Sequence, residues 1–69
     1  MTAINLEDAL HKRPFTPFEV HIDSGKTVHV RHPDYLLFSK SKRTAIIVEG
    51  EHFRIVDLEH ISSLSAAMK

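Results

Sequence analysis

Six histidines in a 69-residue chain without cysteine set the limits of the chemistry this sequence can offer. Two of them, His21 and His29, share the polar side of an alternating stretch with Glu19. If residues 18–22 and 27–30 pair as a hairpin, Glu19 falls opposite His29. His21 then lies diagonal to His29, and diagonal neighbours are roughly 7–8 Å apart. Two imidazoles and a carboxylate are competent zinc or nickel ligands. The same three residues also suit a solvated strand face. No further ligand stands at a fixed motif spacing, so no cofactor is expected. His11, His32, His52 and His60 fall at element ends and turns, where they face solvent. A chain this rich in histidine gains positive charge on acidification, so a pH-responsive role is a further reading.

The second chemical cluster is basic. Lys40, Lys42 and Arg43, with Tyr35 and Phe38 upstream, combine cations with aromatic rings as single-stranded nucleic-acid sites do. The plain alternative is a flexible, solvated turn. Nine basic and nine acidic side chains cancel, so no global field draws in nucleic acid or an anionic membrane. The inventory for catalysis is thin. The two glycines make no phosphate-cradling loop. Ser24, His21 and Asp23 are close in sequence, but successive strand residues point to opposite faces and do not converge as a triad. A single sheet layer with one short helix leaves little room for a ligand pocket of several hundred Å³. The sequence does not read as an enzyme.

The elements that must position these groups begin with residues 18–30. Phe18, Val20 and Ile22 alternate with Glu19, His21 and Asp23, and Val28 and Val30 resume the alternation. A three-residue loop, Asp23-Ser24-Gly25, with Gly25 left-handed, pairs Val20 with Val28 and Phe18 with Val30. A two-residue loop would set Val20 against His29 and break the face. Before the hairpin, residues 5–13 read as a two-turn helix with Asn5 as cap, Glu7 and Asp8 in its first turn and Lys12 and Arg13 at its end. Leu6 and Leu10 lay it on the sheet. Pro14 and Pro17 hold an extended connector anchored by Phe15 and Phe18.

Downstream, residues 35–38 read as a short strand and residues 39–43 as the basic turn. Residues 44–48 form the strongest strand, β-branched and apolar on both faces. A two-residue turn with Gly50 first, of type II′, pairs Val48 with Phe53 and Ile46 with Ile55. Residues 57–60 read as one helical turn, residues 61–64 as a last strand, and residues 66–69 as a frayed tail. The fold class is mainly β: one domain, a short N-terminal helix and a bent antiparallel sheet of five to six strands, as in Sm-like or SH3-like small barrels. Its core is expected to hold Phe18, Val20, Val28, Val30, Ile46, Val48, Phe53 and Ile55.

This order of elements is similar to the Sm-like small β-barrels, and most so to their bacterial RNA-chaperone branch. Ala9-Leu10, the basic helix end, Pro17, the strand of residues 18–22 and the Gly25 turn follow that branch. Val56 and Ile61-Ser62-Ser63-Leu64 resemble the end of its second motif. The resemblance implies a small barrel and a uridine-rich RNA site before the last strand. Here Asp57, Leu58 and Glu59 occupy the place of that branch's aromatic, lysine and histidine, and carboxylates repel a phosphate backbone. Arg13-Pro14-Phe15-Thr16-Pro17-Phe18 with His32-Pro33 also resembles a group of small bacterial proteins with no assigned activity.

The expected function is therefore a non-catalytic interaction module that binds itself or a protein partner through a strand edge. Small domains bury only about 60% of their unfolded surface, which favours reinforcement by self-association. The face carrying Ile47, Arg54 and Val56, opposite the expected core, is the interaction edge on this reading. A weak Sm-like nucleic-acid binder is the first alternative and a His-based metal or pH-responsive protein the second. No apolar run nears the roughly 18 residues of a membrane span, and no leader pattern opens the sequence, so a soluble cytoplasmic protein is expected.

Overall fold

The computed structural model describes residues 3–66. Helix α1 (Ala3–Leu10) precedes six antiparallel strands: β1 (Phe18–Ile22), β2 (Thr27–Val30), β3 (Leu36–Phe38), β4 (Thr44–Glu49), β5 (His52–Asp57) and β6 (Ile61–Ala66). Single 3-10 turns, Pro33–Tyr35 and Leu58–His60, introduce β3 and β6. The strands form two three-stranded sheets, ordered β2-β1-β6 and β3-β4-β5. This corrects the single bent sheet: among the described residues no barrel closes. No described helix is long and apolar enough to cross a membrane.

The hairpin register is the one its loop demands. Phe18 pairs with Val30, Glu19 with His29 and Val20 with Val28. Gly25 has φ 98°, and its N–H donates to the Ile22 carbonyl at 2.8 Å. At the other hairpin Glu49 pairs with His52, and Gly50 has φ 61°. Lys42 is the one non-glycine with positive φ among the described residues, so Glu51 is not left-handed and the turn is of type II′.

The helix starts earlier than the sequence indicates and stops earlier too. Asn5 lies inside it rather than capping it, no acidic residue falls in its first turn, and Lys12 and Arg13 lie beyond Leu10. The macrodipole therefore contributes little. Leu6 and Leu10, four residues apart on one face, are buried and dock the helix on the core. Phe15 packs edge-on against buried Phe18, with ring centroids 6.1 Å apart. Tyr35 belongs to the 3-10 turn rather than to β3, and His32 caps that turn by accepting the Asp34 N–H at 3.1 Å. Strand β6 continues to Ala66, which pairs with Phe18, so the tail expected from residue 66 is a strand at that position. Residues 67–69 lie outside the described residues.

The main correction concerns which face of β4 and β5 is inside. Ala45, Ile47 and Val56 are buried, with Ile47 at 0% and Val56 at 8% exposure, while Phe53 and Ile55 are 67% and 65% exposed. The expected core positions Phe53 and Ile55 are therefore on the surface, and Ile46 and Val48 are only half-buried. The expected interaction residues Ile47 and Val56 are in the core with Leu36, Leu58 and Ile61. The cross-strand register was as expected; the choice of inner face was not. Both faces of β4 are apolar, so periodicity alone does not choose between them. What chooses is the continuation of β5: Val56 and Leu58, two residues apart, both point inward, and that parity carries Ala45 and Ile47 with it.

Candidate functional site

Three features bear on function: a polar network across the first sheet, the basic turn, and the outer side of the second sheet. The network starts from the hairpin. Glu19 Oε2 lies 3.1 Å from His29 Nε2, and Glu19 Oε1 lies 3.7 Å from His21 Nε2. The three residues the register brings together are thus neighbours, with the two imidazoles against different oxygens of one carboxylate. Two further residues complete the network: Thr27, which the hairpin register sets opposite His21, and Ser65, which nothing local in the sequence announces. Thr27 Oγ1 is 3.2 Å from His21 Nδ1, and Ser65 Oγ is 2.7 Å from His21 Nε2. Ser65 comes from β6, opposite Glu19 across the β1–β6 pairing, and is visible only once that long-range register is known.

One assignment of protons satisfies every member. Thr27 donates to His21 Nδ1, His21 Nε2–H to Ser65 Oγ, and Ser65 Oγ–H to Glu19 Oε1 at 3.3 Å. His29 Nε2–H donates to Glu19 Oε2. The chain then crosses to the second sheet: the His29 backbone N–H donates to Glu49 Oε2 at 3.3 Å, and Arg54 Nε–H donates to Glu49 Oε1 at 3.1 Å. Burial raises the Glu49 pKa, but the hydrogen bonds from Arg54 and His29 outweigh it and leave this carboxyl below its ordinary value. The other His21 tautomer reverses both imidazole bonds, with Ser65 Oγ–H donating to Nε2 and Nδ1–H to Thr27 Oγ1. In either, the His21 nitrogen away from Ser65 meets a hydroxyl where a triad has a carboxylate. The network ties strands together.

Elsewhere, Asp57, Glu59 and His60 bring ligand atoms within 4.8 Å of one another, all three residues being exposed. His60 Nδ1 also lies 4.0 Å from Asp23 Oδ2. The basic turn is dispersed. Lys42 Nζ is engaged by Glu7 Oε2 at 2.8 Å, Lys40 and Arg43 are exposed, and Tyr35 stands at the opposite end of β3. Tyr35 instead tilts against His32, centroid to centroid 5.3 Å, and borders a cleft of about 260 Å³ with His29, Arg31 and Glu49.

The outer side of the second sheet carries the largest departure from ordinary burial. Leu37 pairs with Ile46, Ile46 with Ile55, and Val48 with Phe53. Since directly opposite residues share a face, these five side chains form one continuous apolar stripe across three strands. Leu37, Phe53 and Ile55 are its most exposed members. Arg54 lies on the other face of β5, bound to Glu49.

Strand β5 is also the sheet's boundary, paired to β4 alone among the described strands. The hydrogen-bond alternation identifies its free groups. The Leu58 N–H donates to the Arg43 carbonyl at 2.8 Å, one step beyond the Thr44–Asp57 pair. Antiparallel pairs alternate between bonded and non-bonded, so Val56, Arg54 and His52 direct their backbone at β4. Phe53 and Ile55 direct theirs outward, while the Asp57 carbonyl is taken up by the 3-10 turn it caps. The closing Glu49–His52 pair of the two-residue hairpin has the same parity. Phe53 and Ile55 therefore present apolar side chains and unpaired backbone groups together. A cleft of about 300 Å³, with Ile22 and His60 on its far wall, lies along this edge.

Comparison of the chain with protein-family models, with curated proteins and with solved structures found no match.

Proposed function

We propose that this chain is a non-catalytic β interaction module that associates, with itself or with a protein partner, through the open edge of β5 and the apolar stripe beside it. The observation that carries the reading is the exposure of Phe53 and Ile55 on a strand that, among the described strands, pairs with β4 alone. Edge strands are ordinarily shielded by charge, proline, a bulge or a covering segment. On β5 the one charged side chain between Phe53 and Ile55 is Arg54, and Glu49 of the same chain engages it. Apolar residues rimmed by polar ones are the usual composition of a docking surface. The zero net charge supports a partner recognised by shape and backbone pairing rather than by long-range attraction.

Sedimentation equilibrium at micromolar concentration tests it, together with pull-down by the immobilised chain. The reading expects a mass above 7.9 kDa, or a retained protein, in the parent chain. It expects loss of either in Ile55→Lys with an unchanged circular dichroism spectrum. A parent that stays monomeric and retains nothing would remove the reading.

A further inference from the structure

The geometry points to the cleft between the two sheets as a site for a small aromatic anion, one ring carrying a carboxylate or phosphate, held by Arg31 and Tyr35. The site goes beyond the association proposed above and does not depend on it. The cleft, of about 260 Å³, lies where the end of β2 and the Pro33–Tyr35 turn meet β4 and its hairpin turn. Arg31, Tyr35, Val48 and Glu49 stand in its wall.

Charge decides what enters. Glu49 has both oxygens engaged, Oε2 by the His29 N–H at 3.3 Å and Oε1 by Arg54 Nε–H at 3.1 Å. His29, also in the wall, has its Nε2 on Glu19 Oε2 at 3.1 Å. Arg31 is exposed and, among the described residues, forms no ion pair, in contrast to Arg54 and Lys42. The uncommitted charge in the wall is therefore a cation. A guanidinium takes carboxylate or phosphate through two parallel hydrogen bonds. Arg54 offsets the Glu49 charge, so the carboxylate already present does not turn an anion away.

Shape and apolar surface decide the rest. The Tyr35 ring is braced by His32, tilted against it with centroids 5.3 Å apart, and His32 is itself fixed by accepting the Asp34 N–H at 3.1 Å. A ring already ordered costs little entropy when a ligand packs on it. Val48 is half-buried and adds apolar lining. Aromatic rings pair offset or edge-on, which seats a ligand ring beside Tyr35 while its anion meets Arg31. The volume of about 260 Å³ is below the roughly 300–1,000 Å³ of ordinary ligand pockets, so the cleft takes a single ring rather than a nucleotide.

The chain has two glycines, and they make the test simple. Gly50 lies in the cleft wall, and Gly25 is on the turn at the other end of β2, so one amide reports and the other is a control. The isotope-labelled full chain is titrated by NMR with benzoate, phenyl phosphate, benzamide and acetate. The expected result is a saturable Gly50 shift with benzoate or phenyl phosphate at a Kd on the order of 1 mM, with Gly25 unmoved. Tighter binding of phenyl phosphate assigns the anion as phosphate, and tighter binding of benzoate assigns it as carboxylate. Benzamide has the ring without the charge and acetate the charge without the ring, so each binds about tenfold more weakly or less. Arg31→Gln and Tyr35→Leu, with the spectrum confirming each fold, weaken binding on the order of tenfold. Lys40→Gln, an exposed cation outside the cleft, leaves it unchanged. An equal response to benzamide or to acetate, an unchanged Kd in Arg31→Gln, or no saturable Gly50 shift with either aromatic anion overturns the site.

Discussion

The His29 backbone N–H in β2 donates to the Glu49 carboxylate at the end of β4, and this single bond of 3.3 Å joins the polar network of one sheet to the other. Glu49 is also held by Arg54 across its own hairpin, so one side chain links β2, β4 and β5. Its lowered pKa is the thermodynamic record of those contacts. A carboxyl depressed on folding stabilises above its unfolded pKa, and that contribution disappears as pH falls through the folded value. Glu49→Gln keeps an acceptor but loses the charge. The expected cost is about 1 kcal/mol at neutral pH, since the group is partly exposed. Thermal melts from pH 7 to pH 3 check it: the gap between parent and variant narrows below about pH 4.5. A gap that widens in acid would show that Glu49 has no favourable contact to lose.

The inner face of β4 gives a sharper contrast. Ile47→Ala removes a fully buried side chain and is expected to cost about 2–5 kcal/mol. Phe53→Ala removes a larger side chain from the surface and is expected to change monomer stability by about 0.5 kcal/mol or less. Urea unfolding at low protein concentration measures both. A reversed order would restore Phe53 to the core.

Gly25 tests backbone conformation alone. An added Cβ meets nothing within 4 Å, so the cost of Gly25→Ala is that of holding alanine at φ 98°. About 1–2 kcal/mol is expected, with the Val20–Val28 register unchanged by NMR. A neutral substitution would mean that the hairpin turn tolerates a different loop.

Nucleic-acid binding by Lys40, Lys42 and Arg43 is expected to be feeble, because Lys42 is paired with Glu7 and Tyr35 is remote. Three cations on a single strand give a log–log salt slope of about −2 at most. Fluorescence anisotropy with a uridine-rich RNA at low and physiological salt measures it. Submicromolar affinity at physiological salt would contradict this expectation.

What the sequence disclosed follows from how local each signal is. Glu19, His21 and His29 converge because alternation and a three-residue turn suffice to define a hairpin. Ser65 joins His21 across 44 residues of chain, and no local pattern encodes that pairing. The placement of Phe53 outside and Ile47 inside was hidden for a different reason. Bulk favours burying Phe53, but Val56 and Leu58 commit the opposite parity to the core. That two-residue spacing was present in the sequence, but Leu58 opens the 3-10 turn after β5, so strand alternation alone did not count it with Val56.

The pairing of β1 with β6 has a consequence for synthesis on the ribosome. Phe18 waits for Ala66, so the first sheet lacks its third strand until 48 further residues have been made. The second sheet needs only neighbouring hairpins, with Leu36 to Asp57 contiguous in the chain. Vectorial emergence therefore favours β3-β4-β5 as an early unit, since closing short loops precedes closing long ones. During that interval the nascent β1–β2 hairpin carries an unprotected flank, and Glu19, His21 and His29 keep its polar side hydrated until Ser65 arrives.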